Sequence, residues 1–223
     1  AEMAAGLEQP ATSTDAAASA APSSSLLMLP SAIDLLPSGE EAGDVFALEV
    51  GGSGTLRLLY ARLSSSHRGG TDALELEEVR LDPALKHAPV EELFDALAAR
   101  LAAFVRRCGW DVGARGPPVL GFCFSFPLAQ TDRASGTLVR WTKGFTCPGG
   151  VGRDVGALLT EAAARAGLPL TLAVLVNDSG ATLAAARYAD GEDAVVALVL
   201  NAGTNAAYVE LLSVLEAINA TAS

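Results

Sequence analysis

The chain has 223 residues, half of them hydrophobic, and its 15 basic and 26 acidic side chains leave a net charge of −11. That balance argues against nucleic acid or an anionic membrane as the main partner, since both are held through Lys and Arg clusters. Phosphate ligands stay open, because backbone amides in Gly-rich turns bind them without net positive charge.

Residues 1–24 are rich in Ala, Ser, Thr and Pro without an apolar period, and a disordered or frayed segment is expected there. No Lys or Arg precedes Arg57, so this stretch lacks the basic character of a signal or transit peptide. The expectation is a cytoplasmic protein. The chain opens on Ala, as a fragment or a processed start would. No apolar run approaches the ~20 residues of a membrane span.

Order is expected from Leu26-Leu-Met-Leu-Pro30 onward. Val45 to Val50 reads as a strand, Gly51-Gly-Ser-Gly54 as a tight turn, and Leu56 to Leu63 as a second strand. Leu74 to Val79 alternates cleanly as a third, which completes an antiparallel meander. Pro89 suits a helix start. Leu93, Phe94, Leu97, Leu101, Phe104 and Val105 then form one apolar stripe at spacings of three and four, and Gly109 is placed to stop it. Val119 to Phe126 reads as a strand, followed by the polar loop that Ser125-Phe-Pro127 opens. Thr137 to Trp141 is expected to be a short strand, and Arg153 to Ala166 a helix. Cys108, Cys123 and Cys147 have no C-x-x-C spacing, so zinc and a disulfide framework are not expected, and a reducing compartment fits.

The stretch from Thr171 to Leu183 carries the most chemistry. Leu172 to Val176 is a run apolar enough for a strand covered on both faces. It ends abruptly on Asn177-Asp178, before a small-residue helix expected from Ser179 to Arg187. Open α/β sheets hold ligands at the carboxyl ends of their strands. Two readings of Asp178 follow from the local sequence. It is either the helix N-cap, a role Asp performs well, or a carboxylate kept ionised by the helix N-terminus and ready to accept a proton. Further on, Ala194 to Glu210 repeats the plan of strand, Gly turn, strand.

The order β-β-β-α-β-α-β-α is that of a ribonuclease-H-like unit. Gly121-Phe-Cys-Phe-Ser-Phe-Pro127, Trp141-Thr-Lys-Gly-Phe145, Leu175-Val-Asn-Asp178 and Thr204-Asn-Ala-Ala-Tyr-Val-Glu210 occur in that order, behind Leu26-Leu-Met-Leu-Pro30 and Leu36-Pro-Ser-Gly-Glu-Glu41. Together they resemble the hexokinase family, plant hexokinases above all, over about residues 26–211.

The resemblance implies an α/β protein of the ribonuclease-H-like, actin-like ATPase fold. Residues 25–193 would be the sugar-binding small domain and residues 194–223 the incomplete start of the large domain. It implies transfer of the γ-phosphate of Mg-ATP to the 6-hydroxyl of glucose or another hexose, with Asp178 as general base. Ser125, Phe126, Pro127, Thr142, Lys143, Asn177 and Asn205 would serve the hexose. Glu49, Gly51, Gly52, Ser53, Arg57, Gly203 and Thr204 would serve the ATP phosphates. No protein-held metal is expected.

Three departures from the family pattern stand out. Glu49-Val-Gly-Gly-Ser-Gly-Thr-Leu-Arg57 replaces Asp-Leu-Gly-Gly-Thr-Asn-Phe-Arg with one residue inserted. Asn201-Ala-Gly-Thr-Asn205 replaces Gly-Thr-Gly-Thr-Asn, adding a side chain where backbone approaches a phosphate. The rest of the large domain does not follow in this chain. The last two strands are therefore expected to show exposed edges and an uncovered face. A sugar-binding or sensor protein without phosphotransfer, or a non-functional fragment, is the alternative these departures raise.

Overall fold

The computed structural model describes residues 28–66, 68–200, 203–211 and 213–214. The expected disorder of residues 1–24 concerns a segment outside them.

The meander forms as the alternation predicts. Strands β1 (Gly43–Val50), β2 (Thr55–Leu63) and β3 (Thr71–Arg80) pair antiparallel, while β4 (Val119–Phe124) and β7 (Thr171–Val176) add in parallel, for a sheet order β3-β2-β1-β4-β7. The period of two sends Phe46, Leu48 and Val50 of β1, Leu56 and Leu58 of β2, and Leu120, Phe122 and Phe124 of β4 to one face, where all are buried. Two helices cover that face, α1 (Val90–Arg107) and α3 (Val155–Arg165). The stripe of α1 is the one read from its spacing, with Val90, Ala98 and Ala102 added to it. Each such side chain contributes roughly 1.5–3 kcal/mol by leaving water, so this one face carries most of the core.

A 3₁₀ turn (Pro83–Lys86) lies between β3 and α1 in the chain, and the four-residue α2 (Val112–Arg115), capped by the Asp111 carboxylate, between α1 and β4. Asp44 at the start of β1 accepts from the Tyr60 hydroxyl at 2.6 Å, from Arg62 at 2.9 Å and from Arg115 of α2 at 2.6 Å. The Tyr60 hydrogen bond, with Arg62 and the Arg115 charge behind it, holds the Asp44 carboxyl below the usual carboxylate range. A carboxyl lowered in the folded state stabilises above its unfolded titration, near pH 4, and that contribution is lost as pH falls through the folded value. Asp44→Asn is therefore expected to lower the melting temperature at pH 7 and to make little difference near pH 2. Equal melting shifts at both pH values, read by circular dichroism, would remove the linkage.

Two expectations are corrected here. β4 ends at Phe124, two residues earlier than expected, because Ser125 and Phe126 turn the chain out of the ladder; Phe126 N donates to the Phe124 carbonyl at 2.8 Å. The single strand expected from Thr137 to Trp141 is instead the hairpin β5 (Leu128–Asp132) and β6 (Ser135–Leu138), and Trp141 lies outside it. Asp132 closes its turn by accepting from Ala134 N at 3.0 Å.

Helix α4 (Asp178–Asp190) follows β7, and the hairpin β8 (Val196–Leu200) and β9 (Thr204–Tyr208) packs on it as a separate two-stranded sheet. Ala197 is buried, while Val196, Leu198 and Leu200 on the opposite face of β8 are more than half exposed. The uncovered face expected for these strands is thus present.

Candidate active site

The carboxyl ends of β4 and β7 are adjacent in the sheet, and the residues that follow them meet. At the end of β7 the cap question resolves against Asp178. The N-cap is Asn177, whose Oδ1 accepts from Gly180 N at 2.9 Å and from Ser179 Oγ at 3.3 Å. Asp178 is the first helical residue, one earlier than the expected start at Ser179. Freed from capping, its carboxylate turns to the strand ends. Oδ1 accepts from Ser179 N at 2.9 Å and from Asn205 Nδ2 at 2.7 Å, and Oδ2 lies 3.6 Å from Lys143 Nζ. Asn205, on β9, thus reaches Asp178 across the helix that its hairpin packs on.

Lys143 comes from the loop after β6. It is the one non-glycine residue with left-handed backbone (φ 58°) among the described residues, a conformation that costs a side-chain-bearing residue of order 1–3 kcal/mol. Its ammonium donates to the Ser125 carbonyl at 3.0 Å as well as facing Asp178. The loop tolerates this strain because aromatic packing determines it. Trp141 and Phe145 stack at 5.9 Å, Trp141 Nε1 donates to the Cys147 carbonyl at 2.8 Å, and Phe126 sits 5.0 Å from both rings. The Phe126 ring, only 3% exposed, packs in the core and anchors the loop backbone. Ser125 is also buried, while Pro127 and Thr142 are half-buried at the rim.

The turn from Gly51 to Gly54 lies on the same side. Gly51 N donates to the Thr55 carbonyl at 2.8 Å, Gly54 N to the Gly51 carbonyl at 2.9 Å, and the Ser53 and Thr55 hydroxyls are 2.9 Å apart. Glu49 and Arg57, opposite each other in the β1–β2 register, form an ion pair at 3.0 Å, and Arg57 also reaches Glu78 at 2.8 Å. Lys86 crosses the turn, donating to the Ser53 carbonyl at 3.0 Å with its ammonium over the Phe145 ring. Sequence reasoning passed over Lys86; the scarcity of lysine in this chain was the signal available. Cys123 of β4 lies near both groups of residues. Burial, then the charges of Glu49 and Asp178, push its thiol up to about 12, so it stays protonated near neutral pH. Gly203 and Thr204 precede Asn205 on β9 and are exposed. Asn201 and Ala202 lie outside the described residues.

A family model described as Hexokinase matches residues 1–188. This chain belongs to the hexokinase family. It is 46% identical over 189 residues to Hexokinase-2 of Oryza sativa subsp. japonica and 44% identical over 192 residues to Hexokinase-1 of Spinacia oleracea, covering 84% and 85% of this chain. It spans 38% of the length of each of those relatives. Among solved structures it superimposes on a hexokinase from Schistosoma mansoni complexed with glucose with a TM-score of 0.76, at 33% identity, over 88% of this chain and 42% of that one. A second crystal structure of a hexokinase gives 0.70 at 30% identity. The fold is accordingly that of the actin-like ATPases, present here in part. Among the described residues no helix is long and apolar enough to cross a membrane, and no three His, Cys, Asp or Glu side chains gather as a metal site.

Proposed function

We propose that this chain carries the hexose-facing part of an ATP:hexose 6-phosphotransferase. Asp178 takes the proton of the sugar 6-hydroxyl as that oxygen forms a bond to the γ-phosphorus of Mg-ATP and ADP leaves with the electrons of the broken P–O bond. The observation behind this reading is the meeting of Asp178 with Asn205 and Lys143 beside the Ser125 carbonyl. A base must be positioned before it is basic, and a hexose needs paired donors and acceptors at several points. Asn177, with Oδ1 committed to its cap, offers its amide NH₂. Thr142, Lys143 and Asn205 add further polar groups, while Ser125, Phe126 and Pro127 set the loop against which the sugar lies.

In the same reading Glu49, Gly51, Gly52, Ser53 and Arg57 face the phosphates from one side, and Gly203 and Thr204 from the other. Phosphoryl transfer draws mainly on positioning and charge neutralisation. The ammonium groups of Lys143 and Lys86 bring positive charge to the turn. Glucose is the proposed hexose and the cytoplasm the proposed compartment.

A second reading, sugar binding without transfer, is favoured by one observation. Glu49 and Arg57 are tied to each other at the turn rather than left for a magnesium-bound water or a phosphate. Calorimetry on the purified chain with glucose and with Mg-ATP separates the two. Binding of both supports the kinase reading, binding of glucose alone supports the second, and binding of neither removes both for this chain.

A further inference from the structure

Only two of the 15 basic side chains are lysines, Lys86 and Lys143, and both lie across the Gly51–Gly54 turn. A Cβ on Gly54 would fall 2.6 Å from Lys86 Cε, and a Cβ on Gly52 would fall 1.9 Å from Lys143 Cδ, 2.8 Å from Cε and 3.0 Å from Cγ. The two glycines differ in their backbones. Gly54 has φ 84° and needs glycine whatever lies above it, whereas Gly52 is not among the left-handed glycines. The Gly52 backbone accepts an L side chain. What forbids one is the stem of Lys143.

The encounter is with the middle of that stem, not its tip. Moving Cδ away from a new methyl group also moves the ammonium, which is fixed at both of its neighbours, 3.0 Å from the Ser125 carbonyl and 3.6 Å from Asp178 Oδ2. The φ of 58° at Lys143 and the stacked Trp141 and Phe145 on either side of it in sequence keep the loop backbone from following. The stem therefore has one seat, and the bare backbone of Gly52 is its floor.

We propose that Gly52 is a positioning residue acting through Lys143: its missing Cβ seats the lysine stem and so sets the ammonium between the Ser125 carbonyl and Asp178. The consequence for hexose chemistry rests on the reading of Asp178 and Lys143 given above; the seating does not. The bare backbone of Gly52, which in that reading also faces the phosphates, thus seats one of the protein's own cations. The turn and the sugar loop thereby share one moving part.

The test uses the full chain labelled with ¹³Cε-lysine, which gives two resonances, with Lys86 as internal reference. In folded Gly52→Ala the Lys143 resonance moves to the position of a solvated lysine and the Lys86 resonance stays. Glucose affinity, read by calorimetry, falls about tenfold to a hundredfold, the scale of a lost hydrogen bond to a charged group, and matches that of Lys143→Ala. In the double variant Gly52→Ala/Lys143→Ala the first substitution costs nothing further, since the stem it displaced is gone. A Lys143 resonance unmoved in folded Gly52→Ala, or a cost of Gly52→Ala undiminished without Lys143, overturns the proposal. If Gly52→Ala does not fold, folding of the double variant is the expected rescue, and failure of both overturns it. If the parent itself binds no glucose, the resonances still decide the seating, and the loss falls on the hexokinase reading alone.

Discussion

Asp178→Asn is expected to lower hexose-dependent ADP release by about 10²–10⁴-fold, the usual weight of a positioned general base, while glucose affinity stays within several-fold of the parent. The substitution is chosen for shape. An asparagine Oδ1 can keep accepting from Ser179 N and from Asn205 Nδ2, the two hydrogen bonds that aim the side chain. What it loses is the charge facing Lys143 and the capacity to take a proton. A base acts in the transition state, so its loss belongs in turnover and not in ground-state binding. A coupled assay of parent and variant at saturating glucose and Mg-ATP reads the first effect, and calorimetry the second. Turnover in the variant within tenfold of the parent would leave Asp178 a helix-end carboxylate and nothing more. Loss of affinity equal to the loss of turnover would make it a binding group instead.

Much of the scaffold around Asp178 was legible because its signals are local. The stripe of α1 is carried by residues three and four apart, and the meander by strict alternation bounded by Gly51-Gly-Ser-Gly54. The hairpin β5–β6 was not, since Leu128-Ala-Gln-Thr-Asp132 is short and partly exposed, with no apolar face to announce it. At the end of β7, Asn177 and Asp178 are equally good caps by type, and their neighbours decide between them. Asn205 and Lys143 engage one of them from 27 and 35 residues away. That Lys143 and Asp178 belong to one site was implied only by the resemblance to hexokinases, and their ion pair by nothing in the sequence. The seat of Lys143 on Gly52 was beyond reach, because 91 residues separate the two and no pattern along the chain encodes the contact. The inward turn of the Phe126 ring was hidden for the same reason: beside Ser125 and Pro127 it reads as part of a loop, and only the packing on Trp141 and Phe145 shows it.

That aromatic packing supports a last expectation. Phe124→Ala should destabilise the chain by about 3–5 kcal/mol, the cost of emptying a buried aromatic site, and should also abolish glucose binding at temperatures where the protein is still folded. Phe124 is wholly buried at the end of β4, with ring centroids 5.3 Å from Phe122, 4.6 Å from Phe126 and 6.0 Å from both Phe94 and Trp141. The last contact matters most for the site, because Trp141 and Phe126 hold the loops that present Lys143 and the Ser125 carbonyl. Phe104 is the control. It is as deeply buried, but it packs on Phe46 and under Arg107, away from those loops. Phe104→Ala is expected to lose a similar amount of stability, measured by urea unfolding, and to bind glucose as the parent does. Both losses are a large share of the 5–15 kcal/mol that keeps a domain folded, so affinity is compared at low temperature with each variant checked by circular dichroism. Equal glucose affinities for the two folded variants would mean that the cluster beneath Trp141 stabilises the fold without shaping the site. Loss confined to Phe124→Ala would tie the strained backbone of Lys143 to the rings beneath it.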